Sequence, residues 1–150
     1  MEILNEPPPN PAGGETLIVD AKDSSAYERP SDALKHAGLN DQIFIRPGIY
    51  EDKIFIADRP ILMSGAGRDE VQIFCRRGGP LYLQNVPSGR ITGITFRYVG
   101  SDQNSVMNIL DSTCTISRCR ATEGILSGVV TKPQCWLSRQ TFSSTSASAW

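Results

Sequence analysis

The chain has 150 residues, 39% of them hydrophobic and 21% charged, which is enough for one domain with a buried core and gives no reason to seek two. Fifteen basic and sixteen acidic residues leave a net charge of −1, so neither nucleic acid nor an anionic membrane is an expected partner. Glu2, Glu6 and Pro7-Pro8-Pro9 stand where an export signal would carry positive charge and an apolar run, so an intracellular, cytoplasmic setting is favoured; secretion stays open for a fragment.

Residues 1–14 contain Pro7, Pro8, Pro9 and Pro11 and are incompatible with a helix or a central strand, so a flexible lead-in is expected there. Thr16-Leu17-Ile18-Val19 reads as a first strand and Asp20 to Tyr27 as a polar loop. Pro30 to Gly38 reads as a short helix, with Ser31 or Asp32 near its start, Ala33, Leu34 and Ala37 on one face, His36 near its end and Gly38 stopping it. Such a helix would cover the open end of whatever follows.

From Gln42 onward, short β-rich runs alternate with turn residues. Ile43-Phe44-Ile45 leads into Arg46-Pro47-Gly48-Ile49, a turn in which Pro47 presets φ and Gly48 is expected to supply a positive one. Ile61-Leu62-Met63 leads into the small-residue bend Ser64-Gly65-Ala66-Gly67. Ile54, Ile73, Ile94 and Ile116 recur at intervals of 19, 21 and 22, and Ile45, Met63, Leu83, Ile109 and Val129 at 18, 20, 26 and 20. Strand-rich repeats of this size cannot bury their own apolar faces, so neighbouring repeats must stack. The expected fold is all-β, a right-handed parallel β-helix of about four coils with an amino-terminal capping helix. Alternation points Ile43, Ile45, Ile54, Ile56, Val71, Ile73, Leu81, Leu83, Ile94 and Phe96 inward.

The pattern fades after Val130. Residues 138–150 include five serines, show no inward alternation and bury too little apolar surface to offset their ordering entropy. The expected division is therefore a lead-in over 1–14, a β-helix domain over 15–137 that lacks a closing cap and so reads as truncated, and a disordered tail over 138–150. Cys75, Cys114, Cys119 and Cys135 contain no Cys-x-x-Cys spacing, and His36 is the only histidine, so neither a metal site nor a cofactor is expected. They read as reduced buried thiols; Cys114 and Cys119 could pair only if a bend brought their Cα atoms within about 7 Å.

Asp32-Ala33-Leu34, the run from Asp41 to Ile56, Ile61 to Gly67 and Val71-Gln72-Ile73 together resemble the amino-terminal coils of the pectin-lyase-like β-helix superfamily. The resemblance extends over roughly residues 15 to 130, and the superfamily includes pectin methylesterases as well as the β-helix domains of F-box and Shc-binding proteins. Such a scaffold hosts both enzymes and binders, so the resemblance speaks to fold more than to activity. In pectin methylesterases a segment like Gly93-Ile94-Thr95-Phe96 is followed by a Gln and an Asp of the catalytic set. Here Asn104 falls near the Gln position, and Arg120 to Gly124 contains Glu123 but no Asp. Ester hydrolysis with two carboxyl groups and an oxyanion donor is thus not supplied at the matching positions.

Other polar residues have plainer readings. Asp102, Asp111 and Glu123 could form a calcium site only by converging, and read as turn residues. Asn85, Asn104 and Asn108 suit coil bends, because Asn tolerates left-handed backbone. The Ser64–Gly67 bend lacks the Gly-Lys-Ser/Thr ending of a phosphate loop. The expected function is a non-catalytic module that presents a flat sheet face to another protein. The alternative is a carbohydrate-binding or carbohydrate-active β-helix fragment contacting a polysaccharide through Arg76, Arg77, Tyr82 and Tyr98.

Overall fold

A computed structural model of the chain describes residues 6–100, 106–122 and 134–137, the last four and residue 122 by their backbone alone. Its strands form three parallel sheets. The first has six: β1 (Thr16–Val19), β2 (Gln42–Ile45), β5 (Ile61–Gly65), β8 (Gly89–Thr92), β11 (Thr113–Ser117) and β13 (Gln134–Leu137). The second contains β3 (Gly48–Glu51), β6 (Val71–Cys75), β9 (Thr95–Tyr98) and β12 (Arg120–Thr122); the third contains β4 (Ile54–Ala57), β7 (Leu81–Gln84) and β10 (Met107–Leu110). From β2 to β12 the chain visits the sheets in rotation, adding one rung to each at every circuit, whereas β1 is joined to β2 through α1 alone. This is a parallel β-solenoid of about four turns, as the repeat pattern predicts.

Three inward columns make the core. Ile43, Met63, Ile91 and Ile116 stack in the first sheet, Tyr50, Ile73, Phe96 and Ala121 in the second, and Ile56, Leu83 and Ile109 in the third. Each is buried, as are all ten residues that alternation points inward. Full burial of one such aliphatic side chain contributes about 1.5–3 kcal/mol, so this column set dominates the stability. The register pairs also correct the spacing. Ile43 to Met63 is 20 residues, but Met63 to Ile91 is 28, Ile91 to Ile116 is 25 and Tyr50 to Ile73 is 23, so the turns vary in length and most exceed the 19–22 interval of the first sequence register. A shorter interval slips to a different side at each turn: Ile54 lies in β4, Ile73 in β6, Ile94 between β8 and β9, and Ile116 in β11. Those four are all buried but do not form one column.

Corners are set by left-handed residues. Asp58, Asn85 and Asp111 follow the carboxyl ends of β4, β7 and β10 with φ of 59°, 54° and 47°. Short polar side chains tolerate that conformation, and Asn85 Nδ2 donates to Asp58 Oδ1 at 2.7 Å, joining two turns. The bend reading thus holds for Asn85 and Asp111. Asn108 departs from it, lying within β10 opposite Tyr82, where its half-buried side chain stands on the outer face. Gly48 also departs: it opens β3 without a positive φ, because its N–H is bound by Glu70 O as the first link to the next turn. At the corner after β8, Gly93 has φ +74, and a Cβ there would lie 2.5 Å from Gly65 O.

The helix α1 (Pro30–His36) packs against β1, β2 and β4, at the amino-terminal end of the stack, and buries Pro30 and Ala33. Arg29 precedes it in extended conformation without a side-chain cap, and Pro30 takes the first helical position, where its missing N–H costs nothing. Ser31 is therefore not the N-cap; its N–H and hydroxyl instead donate to Asp52. His36 lies in the last turn, with its Nδ1 2.9 Å from Asp32 O.

Before β1, the Pro-rich segment is fixed to the first turn: Asn10 Nδ2 donates to Asn40 O at 2.8 Å, and Gln42 Nε2 donates to Pro8 O. Cys75 and Cys119 are free thiols, whereas Cys114 is disulfide-bonded; the expectation of uniformly reduced cysteines is corrected for it, and pairing with Cys119 does not occur. The backbone neighbour of Cys114 on β13 is Cys135. Asp102, Asn104, Glu123, Val129, Val130 and the 138–150 tail lie outside the described residues. Among the described residues no helix is long and apolar enough to cross a membrane.

Candidate functional site

Alternation along the six-stranded sheet creates two outward rows beside its buried column. One runs Thr16, Gln42, Leu62, Arg90 and Thr115; the other runs Ile18, Phe44, Ser64, Thr92 and Ser117, with Gln42, Phe44 and Ser64 buried although they face away from the column. Consecutive residues in a row come from different turns and sit about 4.8 Å apart. Pro8, Pro9 and Pro11 lie beside Gln42, where the first turns carry this face. Beyond them the face opens into a groove of about 810 Å³, within the range of ligand sites.

Leu62, Ser64, Thr92 and Ser117 supply the groove's floor, and Arg68, Arg90 and Arg118 its charge. The elements explain their placement. Arg90 is an outward residue of β8, flanked in register by Leu62 and Thr115. Arg118 follows β11 at the corner that Gly93 occupies one turn earlier, and it takes the same left-handed backbone with φ 53°. Arg68 follows the Ser64–Gly67 bend, and its carbonyl accepts from Thr95 Oγ1 at 2.6 Å. Arg90 and Arg118 are exposed, and Arg68 is half-buried.

Behind Ser117, Cys119 is fully buried with its thiol directed at Ser117 O, 3.3 Å away. Burial pushes that thiol up to about 12, against weaker opposing contributions from backbone hydrogen bonds and Arg68. It stays protonated at neutral pH and is no nucleophile there. No group of three or more His, Cys, Asp or Glu able to hold a metal ion occurs among the described residues. The groove offers guanidinium groups, hydroxyls and backbone, which is the chemistry of recognition.

The four sugar-contact candidates lie elsewhere. Arg76 follows β6, pairs with Glu51 at 3.1 Å and sits over the Phe74 ring at 5.5 Å from its centre. Arg77 is exposed beside it. Tyr98 ends β9 and is buried, 3% exposed, so its ring offers little surface to a ligand. Tyr82 belongs to the third sheet, edge-on to Phe55 at 5.3 Å. The structure brings Arg76 near Tyr98, since β6 and β9 are neighbours, and leaves Tyr82 on another side.

Arg68, Arg90 and Arg118 are the residues that sequence reading passes over. They are spaced 22 and 28 apart, and only the register of the six-stranded sheet reveals that such distances return to one face. No protein-family model, curated protein or solved structure matches the chain.

Proposed function

We propose that this solenoid is a non-catalytic interaction module that offers the outer face of its six-stranded sheet to a partner protein. The observation that carries the reading is the groove across β5, β8 and β11, whose lining has arginines, hydroxyls and glycines but, among the described residues, no carboxylate or imidazole to move a proton. We relate the chain to the non-catalytic members of the pectin-lyase-like superfamily on the run from Asp41 to Ile73. The second reading is an acidic polysaccharide in the same groove, favoured by the same arginines.

Panning the folded chain against a displayed random-peptide library tests the proposal. Enriched peptides should lose binding when Thr92→Trp fills the groove floor. Enrichment of no peptide, or methanol release from methylated pectin that disappears with Asp111→Ala, would overturn it.

A further inference from the structure

We infer that the segment this groove accepts is an extended, acidic stretch of polypeptide, an inference that rests on the interaction-module reading and narrows it to a class of partner. Three consecutive turns each contribute one arginine to the groove: Arg68 from the turn of β5, Arg90 from that of β8 and Arg118 from that of β11. No Asp or Glu is among the lining residues. Outside the groove Arg29 is matched with Asp32, Arg46 with Asp20 and Asp23, Arg76 with Glu51 and Arg120 with Asp69, while Arg59 is held by the Ala37 and Gly38 carbonyls and Arg77 has no ion pair among the described residues. Among the described residues, neither Arg90 nor Arg118 has an ion-pair partner. In a chain whose charges nearly cancel, exposed cations gathered in a concave face are a complement to an anion.

The shape specifies the kind of anion. The groove crosses the strands, so a ligand in it runs along the solenoid axis and passes one turn about every 4.8 Å. Its three charged turns span roughly 10 Å, the length of about three extended residues, so two or three acidic side chains can meet the guanidinium groups. Each guanidinium can hold a carboxylate through paired N–H donors.

Polypeptide already lies on this face. Pro8, Pro9 and Pro11 form one end of the groove, and Gln42, in the same outward row as Arg90, donates its side-chain amide to the Pro8 carbonyl. A partner segment would continue along the row from Leu62 through Arg90 to Thr115. The lining includes no aromatic ring on which a sugar could stack, and this favours peptide over glycan.

The test is fluorescence polarisation with a labelled Asp/Glu-rich decapeptide, its Asn/Gln counterpart and an oligogalacturonate of equal charge. The acidic peptide should bind, and its affinity should fall as salt is added. Arg90→Gln and Arg118→Gln should each weaken it about tenfold, the loss of one charge-assisted contact. Arg77→Gln, an exposed cation outside the groove, should leave it unchanged. Equal binding of the acidic and neutral peptides would end this inference while sparing the interaction-module reading. Tighter, Arg90-dependent binding of oligogalacturonate would replace peptide with glycan. An equal loss with Arg77→Gln would reduce the effect to diffuse charge and overturn the site. If no peptide binds here and none is enriched by panning, both readings fall.

Discussion

Asp52, in the link between β3 and β4, grips Ser31 with both carboxylate oxygens: Oδ2 accepts the Ser31 N–H at 2.7 Å and Oδ1 accepts its hydroxyl at 2.8 Å. Oδ1 also accepts the Lys53 N–H at 2.9 Å. Asp52 is 9% exposed, so removing its carboxylate strands donors that water reaches poorly. Asp52→Ala should cost about 2–4 kcal/mol in urea unfolding, and Asp52→Asn less, because one acceptor oxygen remains. Equal stability of Asp52→Ala and the parent would show that this clamp does not hold α1 to the stack.

Two glycines with similar backbone separate conformational from steric cost. Gly13 has φ +80 with nothing within 4 Å of a built Cβ, whereas Gly93 has φ +74 and the Gly65 carbonyl oxygen at 2.5 Å. Gly13→Ala should cost only about 1 kcal/mol, the ordinary penalty of left-handed backbone. Gly93→Ala must also push two backbones apart and should cost about 2–4 kcal/mol. Thermal melts of the two variants compare them directly, and equal shifts would contradict the close approach at this corner.

The free thiols should differ in reactivity and in their effect at high pH. Iodoacetamide at neutral pH should label half-buried Cys75 and spare fully buried Cys119 until denaturant is added. Burial raises the Cys119 thiol to about 12 in the folded chain, against an ordinary value of 9.0. The unfolded chain therefore releases this proton first, and the associated stability is complete below pH 9 and lost as pH rises toward 12. Tyr50, also raised to about 12 mainly by burial, adds to the loss above pH 10. Melts across the alkaline range should steepen from pH 9, and Cys119→Ala should remove the earliest part of that slope.

Asp41 governs part of the acid limb. It accepts N–H groups from Gly38 at 2.7 Å and Glu15 at 2.9 Å, and the Gly38 bond leads in holding its carboxyl below the ordinary 3.8. A depressed folded value means that its contribution is present above 3.8 and is lost as pH falls through the folded value. An NMR titration should place Asp41 below 3.8, and Asp41→Asn should flatten the acid limb. An ordinary or elevated value would reject this tie between β1 and the end of α1.

The fold was legible because inward positions are chemically uniform: Ile43, Ile73, Leu83 and Phe96 need only be apolar and β-compatible, and such runs show in a sequence. The turn length was harder to read. The corner from the first sheet to the second takes 46–47 in one turn, 66–70 in the next and 93–94 after that, so an apolar period inferred from isoleucines alone drifts among sheets. The helix was visible from Pro30 and Ala33, but the partner of Ser31 comes from 21 residues away and has no local signature. The groove was illegible for a similar reason: Arg68, Arg90 and Arg118 look like scattered surface charges until β5, β8 and β11 are placed side by side.

Because Met63, Ile91 and Ile116 alternate with Leu62, Arg90 and Thr115 on the same strands, holding the stack and displaying a surface fall to different residues. A change at an outward position alters one rung of the display while the apolar column beneath keeps its contacts. Selection can thus revise the groove one turn at a time. Leu62, which adjoins Arg90 in the same row, is where a single exchange for a cation would lengthen the charged track without touching the column that holds the turns together.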